Sequence, residues 1–521
     1  TEVILHAWDR WGDQCLSKFR GMFAIAIWDT QEKQLTLVRD RVGVKPLYWY
    51  YHAGVFMFAS EIKALHHHPK FQKKVSMDAL SLYFKHGYIR APLSIFENTF
   101  KLEPGHILTI DQNQTINQHM YWDVNTIANS PNNHDSHTER VDQLNALLTD
   151  CIGLRMVSDV PVGVFLSGGI DSSLVTAIMQ AQSARSVQSF TIGFEDQAFN
   201  EASDAKAIAN YLGTTHHEHI CTAEDCLSVI PKLADIYDEP FADQSAVPTY
   251  LVSNMTKPHV KVALSADGGD ELFAGYNHYR MWDQISRLKQ VPGLKASIKW
   301  GNQLGVFNGL GRIHPRLSRL AHRGKKLAQC LQTPTSLNQI EALAQSMQSG
   351  DELLLGLNQG IASSRANLTN GDGINPSTWD LLHYLPDNIL VKVDRAGMAV
   401  ALEGREPLLD HHLIEWSMNI SYHEKHANTY KKQLLRDVLY RYIPKELVDR
   451  PKSGFSMPLE RWLKGPLKDQ VFEQVNANGA LASLVDGHGL EAIRDRFYEG
   501  QGHPQQVWQL LMVQLWAERW L

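Results

Sequence analysis

Two glycines, three serines and one aspartate are gathered in Val164-Phe-Leu-Ser-Gly-Gly-Ile-Asp-Ser-Ser173, between an apolar run and a helical pattern. Gly168 and Gly169 permit close backbone approach, so successive N–H groups form an anion nest, and the N-terminus of the following helix adds partial positive charge. Ser167, Ser172 and Ser173 add hydroxyl donors. This is phosphate-binding chemistry. An aspartate in such a cradle repels phosphate unless it holds a cation, so Asp171 is a candidate Mg²⁺ ligand. No nucleotide loop ending in Gly-Lys-Ser/Thr occurs in the chain, and this stretch carries no dinucleotide fingerprint.

A second stretch, Ser265-Ala-Asp-Gly-Gly-Asp-Glu-Leu-Phe-Ala-Gly-Tyr276, follows the apolar run Val260 to Leu264. Asp267, Asp270 and Glu271 offer hard oxygen ligands for Mg²⁺ and a proton acceptor for an amine nucleophile. Taken alone, this loop leaves an acidic surface turn as the lesser alternative. Its pairing with the first loop favours the chemical reading.

Both loops need strands to aim them. Val160 to Leu166 reads as a strand followed by a helix from Ser172, and Val187 to Gly193 as a strand followed by a helix from Glu201 to Leu212, closed by Gly213. With Val260 to Leu264 as a further strand, the alternation predicts a doubly wound parallel sheet that binds ligands beyond the strands' carboxyl ends. From about residue 280 onward the pattern is mostly helical.

The first 125 residues differ. Gly21 to Trp28, Gln34 to Arg39 and Gly54 to Ala59 read as strands separated by turn residues, giving a sheet-rich first domain. Tyr48-Trp-Tyr-Tyr51 has strand composition and suits a core or interface better than a stacking platform. Asn129 to Ser136 has linker composition and precedes a helix carrying Val141, Leu144, Leu147, Leu148, Cys151 and Ile152. The expected organisation is therefore 1–125, a linker over 126–137, and 138–521. The chain starts inside an amphipathic pattern, Val3, Ile4, Ala7, Trp8 and Trp11, which suggests an N-terminal truncation.

With 521 residues, 44% hydrophobic and 20% charged, the chain has the composition of a multi-domain soluble enzyme. A net charge of −6 and only short basic clusters such as Arg323-Gly-Lys325-Lys326, read as a solvated helix face, argue against nucleic acid as partner. No long apolar run or signal-peptide layout is present, which predicts no membrane association and a cytoplasmic location. The five cysteines, Cys15, Cys151, Cys221, Cys226 and Cys330, are too scattered for a disulfide framework or a four-cysteine zinc site. His66 to His68, His216-His217 and His411-His412 read as solvated or core imidazoles, because adjacent residues do not share a face.

Ser167-Gly-Gly-Ile-Asp-Ser-Ser173 resembles the pyrophosphate loop of enzymes that cut ATP between its α and β phosphates. Over nearly its whole length the chain also resembles glutamine-dependent asparagine synthetases of bacterial type. The resemblance extends to Arg39-Asp-Arg-Val-Gly-Val-Lys-Pro-Leu-Tyr48, Phe58-Ala-Ser-Glu-Ile-Lys-Ala-Leu65, Asp387 to Met398, Glu403 to Asp410 and Arg450-Pro-Lys-Ser-Gly-Phe455. It implies a mixed α/β and α+β architecture: a truncated, sheet-rich Ntn-hydrolase-like glutaminase domain of class II amidotransferase type, then a doubly wound ATP-pyrophosphatase domain with a helical C-terminal part.

By this resemblance, Leu166, the Ser167 to Ser173 loop, Ile192, Ser265 and Ala266 hold ATP, Asp171 and Asp270 hold Mg²⁺, and Asp267 and Lys452 are catalytic. Glu271, Tyr276, Asp394 and Arg395 are candidate contacts for substrate or pyrophosphate. Many members carry Gly where this chain has Ala266, and some carry Glu where it has Asp267. The implied reaction joins ammonia to aspartate through a β-aspartyl-AMP intermediate, with ammonia drawn from glutamine in the full-length protein. The family's glutaminase nucleophile is an N-terminal Cys, which these residues lack; Cys15 sits in an apolar pattern and reads as a packed small hydrophobe. The chain as given is thus expected to use ammonia directly. Aspartate, ATP and ammonia or glutamine are the expected partners, with a homodimer left open. Two alternatives stand: amidation of another carboxylate, such as a uronic acid on a glycan precursor, and a silent nucleotide-binding subunit.

Overall fold

The computed structural model of the chain describes residues 1–128, 135–195, 200–289, 375–426, 431–450 and 457–521. Lys452, Arg323, Lys325, Lys326, Cys330 and residues 129–134 of the proposed linker lie outside the described residues.

The first domain is built on two antiparallel sheets. One has the order β1 (Ala24–Asp29), β2 (Gln34–Arg39), β6 (His106–Ile110), β7 (Ile116–Met120); the other runs β4 (Val55–Ala59), β3 (Tyr48–His52), β5 (Thr99–Lys101). Period-two alternation explains the pairing: Val38 and Ile107 are partners in register and share one apolar cluster with Ile25, while Leu37 and its partner Leu108 face another. β1 to β4 fall where the sequence places them. The aromatic run Tyr48 to Tyr51 is the centre of its sheet, with Tyr48 and Tyr50 fully buried. Cys15 is buried beside Ala7 and Leu16.

The second domain centres on a five-stranded sheet, parallel throughout, in the order β10 (Thr215–Cys221), β9 (Gln188–Phe194), β8 (Val162–Phe165), β11 (Val262–Leu264), β12 (Glu403–Arg405). Buried on both faces, its central strands lie between two apolar clusters: Phe190, Ile192 and Ala263 face one, Val164 and Leu264 the other. The chain leaves β8 toward β9 on one side and reaches β11 on the other, so the strand order reverses between β8 and β11. Ligands in open α/β sheets bind at that crevice. Two differences from expectation stand out. β10 consists of Thr-His-His-Glu-His-Ile-Cys, an edge strand whose polar composition hides it. β12 interrupts the helical C-terminal part with only three residues, too short for a period to show.

The helix His137–Met156 starts with a reciprocal cap in which Ser136 and Glu139 satisfy each other's backbone N–H. The helix Ala202–Leu212 ends on Gly213 at φ +74, the left-handed cap that glycine adopts without strain. No helix among the described residues is long and apolar enough to cross a membrane.

Candidate active site

The loop after β8 turns at Gly168, whose φ is +77, and enters the helix Ile170–Gln182 with Gly169 as its N-cap. That helix starts two residues earlier than its sequence pattern indicates, which brings Asp171 into the first turn. Ser172 Oγ folds back over the loop, accepting from Ser167 N at 3.2 Å and lying 3.0 Å from Ser167 Oγ. The loop is thus closed by its own hydroxyls while the helix N-terminus faces the crevice.

The loop after β11 turns at Gly268, φ +98, into the short helix Gly269–Leu272. Since β8 and β11 are adjacent, with Val164 opposite Leu264, the two loops meet. Together they wall a cavity of about 710 Å³. Leu166, Ser167, Gly168, Gly169, Asp171, Ser172, Ile192, Ser265, Ala266, Asp267, Asp270, Glu271 and Tyr276 all line it.

Three sequence-nominated residues lie elsewhere. Ser173 is buried behind the loop and is not part of the wall. Asp394 pairs with Lys45 at 2.9 Å, and Arg395 donates to Ser60 O at 2.6 Å, pairs with Glu61 at 3.4 Å and lies over the Tyr48 ring. These two residues fasten the second domain to the first and do not reach the cavity. The quoted motifs around Arg39 and Glu61 share that task. Asp40 accepts from the N–H groups of Gly43, Val44 and Lys45 at 2.8–2.9 Å, which shapes the turn that presents Lys45 to Asp394.

The cavity floor is acidic. Asp267 accepts from Ser265 Oγ at 2.8 Å. Burial raises its carboxyl above the usual range, Lys392 and Ser265 draw it back down, and Asp171 and Asp270 push it up again. Glu271 is buried, accepts from Tyr276 Oη at 2.7 Å and is pushed up to about 8 by burial and by Asp270. Asp171 and Asp270 converge on one point, occupied by the ammonium of Lys432: Nζ contacts Asp171 Oδ2 and lies 2.6 Å from Asp270 Oδ1. Asp171 Oδ1 is buried and has no hydrogen-bond partner among the described residues.

Two convergent carboxylates and an unsatisfied carboxylate oxygen fit Mg²⁺, which takes one or two protein carboxylates and completes its shell with phosphate and water. Among the described residues no group of three or more His, Cys, Asp or Glu side chains is arranged to hold a metal ion. His216 instead lies 2.9 Å from Ser189 Oγ, His217 stacks on Phe190, and burial holds His66 and His411 down at about 4. The buried Cys221 and Cys226 thiols are pushed up to about 12 by burial.

Sequence reading missed the cations. Lys392, Lys431, Lys432, Arg280 and Arg450 line the cavity. Arg450 bridges Asp204, at 2.5 Å, and the carbonyl of Gly168, at 3.0 Å. Only Lys392 and Arg450 fall inside stretches that the resemblance singles out.

An anion nest and an acidic floor at the reversal point of a parallel sheet define a nucleotide-handling α/β enzyme. Residues 143–518 match the asparagine synthase family model, and residues 1–122 match the glutamine amidotransferase domain. Asparagine synthetase [glutamine-hydrolyzing] 1 of Bacillus subtilis is 29% identical over 534 residues, covering 99% of this chain and 80% of the relative. A Methanocaldococcus jannaschii protein provisionally given the same activity is 37% identical over 417 residues, 76% of each chain. Amidase chry2 of Gibberella zeae is 24% identical over 545 residues, covering 96% of this chain and 79% of the relative. The chain belongs to the asparagine synthase family and is an enzyme of the ligase class.

Proposed function

We propose that the chain converts aspartate to asparagine at the expense of ATP, through a β-aspartyl-AMP intermediate, with glutamine as the source of ammonia. The observation that carries this reading is the meeting of the two loops, a phosphate cradle and an acidic floor, around one cavity. Residues 1–125 would form the glutaminase part, 126–137 the linker and 138–521 the synthetase part, in a cytoplasmic enzyme. The relatives' names and the two matched families support the division of labour.

The substrate carboxylate attacks the α-phosphorus of ATP, forming the acyl-adenylate and releasing pyrophosphate. The loop N–H groups, Ser167 and Ser172 hold the departing phosphates, and Arg450 braces the loop through Gly168 O. Asp171 and Asp270 would hold Mg²⁺, which when bound neutralises phosphate charge. Ammonia then attacks the acyl carbon, AMP leaves, and the nitrogen sheds a proton. Asp267 is suited to accept it, since burial raises its carboxyl above the usual range and so strengthens it as a base, while Ser265 Oγ, donating at 2.8 Å, holds it in place. The family resemblance adds Lys452 as a point charge for the transition state.

Incubation with ATP, Mg²⁺, ammonium and aspartate is expected to give asparagine, AMP and pyrophosphate in equal amounts, and Asp267→Asn to abolish AMP formation. Substantial residual activity in that variant would move the role to another residue. A second reading is amidation of a different carboxylate such as a uronic acid, since the two loops that wall the cavity do not specify the acyl acceptor. AMP release that requires a sugar acid and ignores aspartate would select it. Nucleotide binding without ATP–pyrophosphate exchange would instead mark a silent subunit.

A further inference from the structure

Lys432 occupies the place where the two loop carboxylates would hold a divalent cation. Its ammonium reaches Asp171 from one side and Asp270 from the other. The surroundings are shaped for this approach. Gly275 leaves the space in which Asp270 and the Lys432 side chain meet, since a methyl group there would collide with both. Gly269 does the same for the Asp171 carboxylate, which a methyl group would meet at 2.7 Å. The backbone of Lys432 is also unusual: φ is +55, a left-handed conformation that lysine rarely adopts, at the N-cap of the helix Gln433–Leu439. The carbonyl of Lys432 accepts from Arg436 N at 3.0 Å, which fixes that cap while the side chain reaches inward. A backbone outlier that aims a buried cation at two carboxylates points to a functional arrangement.

We propose that Lys432 is an internal counter-ion that holds the Mg²⁺ position closed in the nucleotide-free chain and yields it when a nucleoside triphosphate arrives with its metal. Between two carboxylates a fixed ammonium opposes the entry of a bare divalent cation by direct repulsion and by occupying its ligands. The triphosphate reverses the balance, because it brings both the metal and further negative oxygens to which the displaced ammonium donates. Lys432 thereby turns from a guard of the empty site into a phosphate contact. Metal binding is made conditional on nucleotide, and the two carboxylates face a positive charge in both states. The inference rests on the assignment of Asp171 and Asp270 as metal ligands in the proposed function.

Mn²⁺ titration of the intact chain without nucleotide, followed by electron paramagnetic resonance, tests it. The wild type is expected to bind free Mn²⁺ weakly, and Lys432→Gln at least ~10-fold more tightly, with ATP–pyrophosphate exchange reduced. Lys432→Arg retains the positive charge and is expected to bind no more tightly than wild type. An unchanged or weaker affinity in Lys432→Gln, or a tighter one in Lys432→Arg, overturns the proposal. So does tight binding that survives when Asp171→Asn is added to Lys432→Gln, since the metal would then sit elsewhere. Failure of the amidation reading shows separately, as absent amide product with these metal affinities as expected.

Discussion

Gly269→Ala isolates the geometry of the cation site from the stability of the fold. Gly269 is the first residue of the helix Gly269–Leu272, and its φ lies outside the left-handed region, so alanine is compatible with the backbone. The new methyl group would lie 2.7 Å from Asp171 Cγ, 2.8 Å from Oδ1 and 3.2 Å from Oδ2. An ordinary carbon–carbon contact is about 3.5 Å, so the carboxylate must withdraw by about 0.8 Å. All three atoms belong to one short side chain at the cavity wall, so the fold can accommodate the shift for about 1–3 kcal/mol of overpacking strain. Positioning of phosphate and cation is less forgiving, since a misplacement of about 1 Å costs on the order of 100-fold in rate. ATP–pyrophosphate exchange is therefore expected to fall ~100-fold in a variant that still folds. Gly213→Ala supplies the contrast. A Cβ there meets nothing within 4 Å, but φ is +74. It should lose about 1 kcal/mol of stability and leave exchange unchanged. Exchange in Gly269→Ala within about threefold of wild type, with folding intact, would show that Asp171 does not need its observed position and would refute the reasoning.

Other perturbations follow from the buried charges. Lys45→Met leaves Asp394, a buried carboxylate, without the ammonium that lies 2.9 Å away. A loss of about 3–5 kcal/mol is expected, read by denaturant unfolding, with earlier proteolytic separation of the two domains. Glu406 is buried at the same junction, and its Oε2 has no hydrogen-bond partner among the described residues. Burial pushes its carboxyl up to about 8, against the pull of Lys45 and with help from Asp267 and Asp394. The folded chain then keeps a proton there that the unfolded chain has lost, so this group's contribution to stability is full below about pH 4.3 and declines as pH rises toward 8. Glu406→Gln should accordingly raise the melting temperature at pH 8.5 relative to wild type and change it little at pH 5. A pH-independent difference would mean that Glu406 does not carry a raised pKa.

The two loops were legible because glycine, serine and aspartate do local work there. A nest needs residues adjacent in sequence, and the strand before and helix after announce where it points. β2 appears at the residues its alternation marks, Gln34–Arg39, and β9 is displaced by a single residue. The cations were not legible, for a physical reason. Lys432 touches Asp171 across 261 positions of sequence, and Lys45 meets Asp394 across 349, distances over which no period or spacing carries information. Arg450 and Gly168 are 282 positions apart. A lone lysine on a polar stretch reads as solvated until the fold brings a carboxylate to it.

This difference also explains why Asp394 and Arg395 read as site residues from their motif. Charged residues kept in a motif for docking look the same in sequence as those kept for chemistry, because both need fixed partners. The partners differ: Asp394 and Arg395 find theirs in Lys45, Glu61 and Ser60 of the first domain, whereas Asp171 and Asp270 face the cavity. The junction thus stands directly behind the acidic floor, with Glu406 close enough to both Lys45 and Asp267 for each to affect its proton. A change in how Lys45 of the first domain seats against Asp394 would alter the field at Glu406 and, through it, at Asp267. Electrostatic coupling between the two domains therefore does not require the first domain to reach the cavity at all.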